Sequence, residues 1–441
     1  MASLVIRGGT VLTMNDRFEV VTGDVAVRDG RITAVGQVGD GPFDRVIDAE
    51  GSLVLPGFVQ THIHLCQTLF RGFADDLALM DWLRLRVWPM EAAHTPASLR
   101  ASAMLAATEL LSTGTTTVLT METVHDTDAV FEAMATTGLR AVIGKCMMDA
   151  DPLAPARLFE STHAAIDSSL ALHKQWDGAA QGRLRAAFAP RFALSCSRDL
   201  LEAVGRLSAS HGTLVHTHAS EQQAEIALVE QRTGRRNMLY FSDTGLASPR
   251  LCVAHCVWVD EAERAVMADR QVKVLHCPGS NLKLGSGIAP VPELRRLGIS
   301  VSLGADGAAC NNRLDMFDEM RLAATLQSMR LAPGVLPARD VVWMATREGA
   351  RALGMEAEIG LVEAGARADL IVVDLRRPHL TTGPDPYSTL VYAARGTDVR
   401  TTIVDGEVLV HDYALQHLDS AAIARDASVQ ARALSRRAGL S

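Results

Sequence analysis

His62 and His64 stand two residues apart in Leu55-Pro56-Gly57-Phe58-Val59-Gln60-Thr61-His62-Ile63-His64, an apolar run ending in two imidazoles. Side chains alternate along an extended segment, so both rings point to one side, where they can share one metal ion. His218 adds a third imidazole and Asp306 a carboxylate, a three-nitrogen, one-oxygen set that suits zinc or ferrous iron. Such an ion activates water near neutral pH. Glu221 follows His218 by three residues, a spacing that lets its carboxylate reach that water as general base and then as acid. His255 can hydrogen-bond the oxygen developing in a tetrahedral intermediate. His216 lies on the same strand face as His218 and competes for the third ligand position; the spacing to Glu221 favours His218. Cys252-x-x-His255-Cys256 does not read as a zinc knot, because a strand points Cys252 and His255 to opposite faces and no second cysteine pair has the spacing.

These residues need elements that bring them together. Eight apolar, β-branched runs alternate with helical stretches: 57–62, 115–120, 140–145, 184–189, 213–218, 251–255, 272–276 and 299–304. Amphipathic segments separate most of them, for example 101–111, 129–136, 199–210 and 261–269. The pattern predicts an α/β fold, a (β/α)8 TIM-type barrel of parallel strands with helical crossovers. Barrel sites lie at the C-terminal strand ends. His62 and His64 close the first run, His218 the fifth and His255 the sixth, and Asp306 follows the eighth, so all meet at one barrel mouth.

Both chain ends have a different texture. Short alternating strands cut by turns such as Asp29-Gly30 fill the first fifty residues, and the pattern returns in 369–374, 401–404 and 408–410 around Asp405-Gly406. The two ends are expected to pair into one small antiparallel β module. The expected division is a discontinuous β-sandwich domain of 1–57 with 364–441 and a catalytic barrel of 58–363.

With 441 residues, 48% hydrophobic and 21% charged, and a formal charge of -8, the composition is that of a globular chain, and no basic patch suggests a nucleic-acid partner. Seven dispersed cysteines, an odd number, argue for reduced thiols. No stretch of about 18 apolar residues suggests a membrane span. A soluble cytoplasmic protein is expected.

The motifs Pro56-Gly57-Phe58 through His64, His218-Ala219-Ser220-Glu221, Ala254-His255-Cys256, His276-Cys277-Pro278-Gly279-Ser280-Asn281-Leu282-Lys283-Leu284 and Gly304-Ala305-Asp306-Gly307 together resemble the amidohydrolase superfamily over essentially the whole chain. The resemblance is to its branch of cytosine, guanine, adenosine-analogue and s-triazine hydrolases. It implies a distorted barrel with a β-sandwich, metal ligands at His62, His64, His218 and Asp306, proton transfer by Glu221 and Asp306, and polarisation by His255. Binuclear relatives close the fourth strand with a carboxylated lysine; here Pro190-Arg191 stands there, which implies one divalent ion, zinc or iron. Family members are often homo-oligomers.

The substrate motifs divide. Trp82 and Trp88-Pro89-Met90-Glu91 resemble the loop by which S-adenosylhomocysteine, methylthioadenosine and 5′-deoxyadenosine deaminases hold a nucleoside, with Glu91 matching a residue on the ribose hydroxyls. Gln67, Arg191 and Phe192 resemble the purine-binding residues of guanine deaminases, and Arg157 matches an arginine that grips the amino-acid carboxylate of S-adenosylhomocysteine. The expected activity is hydrolytic deamination of a small-molecule purine, first a 5′-modified adenosine. The alternatives are a guanine, 8-oxoguanine or pterin-type substrate, or an s-triazine.

Overall fold

The structure is a computed structural model and describes residues 3–150 and 154–440. All eight runs form strands: β6 (Phe58–Ile63), β7 (Thr115–Met121), β8 (Arg140–Met147), β9 (Leu184–Pro190), β10 (Val215–Ala219), β11 (Leu251–His255), β12 (Lys273–His276) and β13 (Ser300–Leu303). They pair in parallel in chain order. Nearly every strand residue is buried, as expected of parallel strands covered by helices on one face and by each other's side chains within. No ladder joins β13 to β6. Instead Asp306 N donates to His62 O at 3.0 Å and Thr61 Oγ1 to Leu303 O at 2.9 Å, which closes the barrel at its mouth. Gly304 is what permits this approach: a Cβ there would stand 2.6 Å from His62 O.

The crossover helices begin where side chains can satisfy their first amides. Thr95 accepts from Ser98 N ahead of the helix Pro96–Ser112, with proline in its first turn, and Asp260 forms a capping box with Glu263 ahead of Glu261–Asp269. The helix Arg198–His211 starts on Ser197 and stops at Gly212, whose φ of 69° is the left-handed value glycine takes without strain.

The chain ends form a nine-stranded sheet. Its N-terminal part contains β1 (Ser3–Leu12), β2 (Val20–Arg28), β3 (Arg31–Gly36), β4 (Arg45–Asp48) and β5 (Ser52–Pro56). The C-terminal part contains β14 (Leu370–Asp374), β15 (Val399–Val404), β16 (Glu407–His411) and β17 (Ala414–Leu415). The sheet is mixed rather than purely antiparallel. β1 pairs in parallel with β4 through Leu4–Arg7 and with β5 through Thr10–Val11. The return through residues 37–44 sets β4 beside β1 in the same direction, a pairing that strand alternation alone does not reveal. β5 pairs antiparallel with β14, which joins the two ends of the chain. The sheet folds over on itself, so that Ile6, Val25 and Ile32 share a core with Leu370, Val372 and Ile403.

A buried ion pair fastens this module to the barrel. Arg140, at the start of β8, donates through Nε to Asp369 Oδ2 at 2.7 Å and through Nη2 to Asp369 Oδ1 at 3.0 Å. Residues 364–441 are not all sheet, however. The helix Ser420–Arg437 leaves it and packs on Pro96–Ser112 beside the barrel, and Arg437 Nε donates to Ala93 O at 2.9 Å. Among the described residues no helix is long and apolar enough to cross a membrane.

Candidate metal centre

The barrel mouth brings His62, His64, His218 and Asp306 together, and the tautomers of two imidazoles are fixed by backbone. His64 Nδ1 lies 2.7 Å from Met121 O, and His218 Nδ1 lies 2.7 Å from Arg191 O. A carbonyl only accepts, so each Nδ1 bears the proton and each Nε2 presents a bare lone pair. These two Nε2 atoms face each other at 3.3 Å. Asp306 Oδ1 lies 3.3 Å from His64 Nε2 and 3.3 Å from His62 Nε2, and the latter is buried without a hydrogen-bond partner. Acceptors converging on acceptors repel unless a cation lies between them. Separations of 3.3 Å match the edge of a tetrahedron with bonds of about 2.0–2.1 Å, the zinc–nitrogen and zinc–oxygen lengths. The residues therefore fit a divalent ion.

The electrostatics agree. Burial drives His62 down to about 4 and His218 well below its ordinary value, which keeps both neutral and ready to ligate. Burial also pulls on His64, but the Asp306 carboxylate outweighs it and raises that pKa, so the cluster favours positive charge at its centre. Burial would raise Asp306; His62 and His64 instead hold it well below the usual carboxylate range. His216, the competing candidate, stands behind the cluster with Nε2 2.6 Å from His62 Nδ1, where it orients the His62 ring.

Glu221 and His255 complete the mouth. His255 Nε2 lies 3.5 Å from Glu221 Oε2 and 3.9 Å from Asp306 Oδ2. Burial raises the Glu221 pKa. Ser220, His255 and Asp306 all hold left-handed backbone, at φ 54°, 72° and 64°, which turns their segments inward at the strand ends.

A small cavity opens beside them, lined by Gln67, Trp82, Arg191 and Phe192 together with the apolar Leu79, Leu83 and Leu284. The segment that supplies Leu79, Trp82 and Leu83 continues into a wider π-type turn at Leu83–Val87. Trp82 Nε1 is buried without a partner. Glu91 lies one layer back and is 3% exposed. It accepts from Arg191 Nη1 at 2.6 Å, from Arg191 Nη2 at 3.2 Å and from Gln67 Nε2 at 2.9 Å. The two sets of substrate motifs thus form a single buried network.

Two candidates lie elsewhere. Trp88 is fully buried in a hydrophobic cluster with Leu69, Phe70, Val87 and Met90, away from the cavity lining. Arg157 is half-exposed and donates to Asp126 Oδ2 at 3.3 Å and Ala92 O at 3.2 Å, away from the cavity lining. Sequence reasoning missed Ser286 and Asn281, whose side chains reach Glu221 and His255 at 2.8 and 2.9 Å. The motif around Asn281 was a signal for that residue, and Ser286 lies beyond it.

The profile of the amidohydrolase family matches residues 53–409. The chain is 39% identical over 438 residues to the 5′-deoxyadenosine deaminase of Methanosarcina mazei, covering 98% of this chain and 99% of that one. It is 42% identical over 441 residues to the 5-methylthioadenosine/S-adenosylhomocysteine deaminase of Natronomonas pharaonis, covering 99% of both. Among solved structures it is similar to an adenosine deaminase from Xanthomonas campestris with bound zinc, at a TM-score of 0.92 and 32% identity over 99% of both chains.

Proposed function

Since the chain belongs to the amidohydrolase family, we propose that it is a metal-dependent deaminase that hydrolyses the amino group from a 5′-modified adenosine such as 5′-deoxyadenosine or methylthioadenosine. The observation that supports it most is the pair of bare Nε2 atoms of His64 and His218 facing each other at 3.3 Å with Glu221 and His255 beside them. The ion is zinc, in keeping with this donor set and with the zinc of the Xanthomonas relative.

A divalent ion in this cradle supplies the Lewis acidity that makes a water nucleophilic near neutral pH. The chain does the rest. Asp306 divides its oxygens: Oδ1 faces the imidazoles and accepts from Gly307 N at 2.7 Å, while Oδ2 faces His255 and can take a proton. Burial raises the Glu221 pKa, which makes its carboxylate a stronger base; it takes one proton from the attacking water and delivers it to the ring nitrogen. Across from Glu221, His255 donates through Nδ1 to Asn281 Oδ1, so its Nε2 can accept from the hydroxyl of the water as the oxygen adds to the amino-bearing carbon. Asp306 Oδ2 takes the second water proton and passes it to the amino group, the carbon–nitrogen bond breaks, ammonia leaves, and oxygen replaces nitrogen on the ring while the first proton stays on the ring nitrogen. The apolar walls of Leu79, Leu83 and Phe192 suit a flat ring.

The test is ammonia release from 5′-deoxyadenosine, methylthioadenosine, S-adenosylhomocysteine, adenosine, guanine and 8-oxoguanine, with an s-triazine in parallel. Turnover of the first two at the highest kcat/KM is expected. Activity confined to guanine, which the Gln67–Arg191 edge would favour, or to the triazine would overturn the assignment.

A further inference from the structure

We propose that Ser286 is a positioning residue for Glu221, its hydroxyl fixing one carboxylate oxygen so that the other handles the proton. The proposal rests on the deamination reading above. Ser286 lies in the turn after the short helix Pro278–Lys283, 65 residues from Glu221, and is 2% exposed. Its Oγ stands 2.8 Å from Glu221 Oε1.

The direction of this bond is settled by its neighbours. Gln222 Nε2 donates to Leu284 O at 2.9 Å and to Ser286 Oγ at 3.4 Å, so the serine oxygen accepts there and its one proton is left for Glu221. The backbone of Ser286 is itself held on both sides. Its N–H donates to Asn281 O at 2.8 Å, and its carbonyl accepts from Trp258 Nε1 at 2.7 Å. On the other flank Glu225 Oε2 accepts from Glu221 N at 3.2 Å.

Glu221 is thereby made asymmetric. Oε1 is committed as an acceptor, so a proton on this carboxyl sits on Oε2, the oxygen that faces His255 Nε2 at 3.5 Å. The same turn holds the second proton-handling side chain: Asn281 Oδ1 accepts from His255 Nδ1 at 2.9 Å, which leaves Nε2 towards Glu221. One stretch of ten residues after β12, Cys277–Ser286, thus sets the mutual orientation of both groups. A carboxylate free to rotate would spend much of its time with neither oxygen aligned for transfer.

The experiment uses the metal-loaded full chain with 5′-deoxyadenosine as substrate. Ser286→Ala is expected to lower kcat about 10- to 100-fold, the effect of losing one hydrogen bond to a charged group, with KM changed less than about three-fold. Ser286→Thr, which keeps the hydroxyl, should restore most of the rate. On a Glu221→Gln background, adding Ser286→Ala should change the residual kcat less than about two-fold, because the group it acts through is already disabled. A crystal structure of Ser286→Ala should show the Glu221 carboxylate turned from its position in the unsubstituted protein. An unchanged kcat in Ser286→Ala, a full loss that persists on the Glu221→Gln background, or a carboxylate that does not move would each overturn the proposal. If Glu221→Gln alone kept full turnover, or no purine were deaminated, the reaction assignment would fall, and the carboxylate position would decide the role of Ser286.

Discussion

Replacing Arg191 by methionine is the sharpest perturbation of the substrate side. The change keeps much of the apolar stem and removes a guanidinium whose side chain is 5% exposed from a Glu91 carboxylate that is 1% exposed. With charge centres about 4 Å apart and an effective dielectric of about 20, the lost attraction is about 4 kcal/mol, within the range of about 3–5 kcal/mol for breaking one side of a buried pair. Gln67 alone would then face the Glu91 charge. Unfolding entropy of about 2.1 cal/mol/K per residue over 441 residues converts this into a fall in melting temperature of about 4 °C. The double variant Arg191→Met/Glu91→Gln removes both charges and should recover to within about 1–2 kcal/mol of the unsubstituted protein. Differential scanning calorimetry at fixed zinc concentration measures all three proteins. The reasoning fails if Arg191→Met melts within about 1 °C of the parent, or if the double variant melts no higher than the single one.

Three further outcomes are expected. His216→Phe keeps the volume but removes the 2.6 Å contact that orients His62, so zinc affinity in a competing-chelator titration should fall about 10- to 100-fold. Arg157→Ala should leave kcat and KM for S-adenosylhomocysteine within about two-fold of the parent, because the guanidinium is tied to Asp126 and Ala92 away from the cavity; a large rise in KM would place it on the substrate. Burial would raise Asp374, but Arg376 and Tyr413 hold it down to about 2. A depressed carboxyl contributes stability above its unfolded pKa, near 3.8, and loses it as pH falls towards 2. Urea midpoints measured between pH 5 and pH 2.5 should therefore decline less steeply for Asp374→Asn.

The barrel was readable because its two periodicities are local. Each strand is a short apolar run, and polar residues at barrel strand ends have few reasons to be there other than chemistry. That pattern alone assigns His62, His64, His218, His255 and Asp306 to one mouth. Pairing across the chain was less accessible. Nothing in the alternation of β1 says that it splits between β4 and β5 in parallel, since register and direction depend on contacts between distant segments. Gln67, Glu91 and Arg191 read as rival substrate motifs, yet Glu91 and Arg191 are 100 residues apart and neutralise each other. Ser286 has no pattern at all. A single hydroxyl gains a role only from what folding sets 2.8 Å away.

The pairing of β5 with β14 has a consequence for how the polypeptide is made. Residues 52–56 leave the ribosome more than 300 residues before 370–374, and at about 5–20 residues per second the wait is about 15–60 s. Throughout that interval the nascent N-terminal strands present an unpaired, apolar edge at β5. Shielding of that edge during synthesis would then raise the yield of active protein.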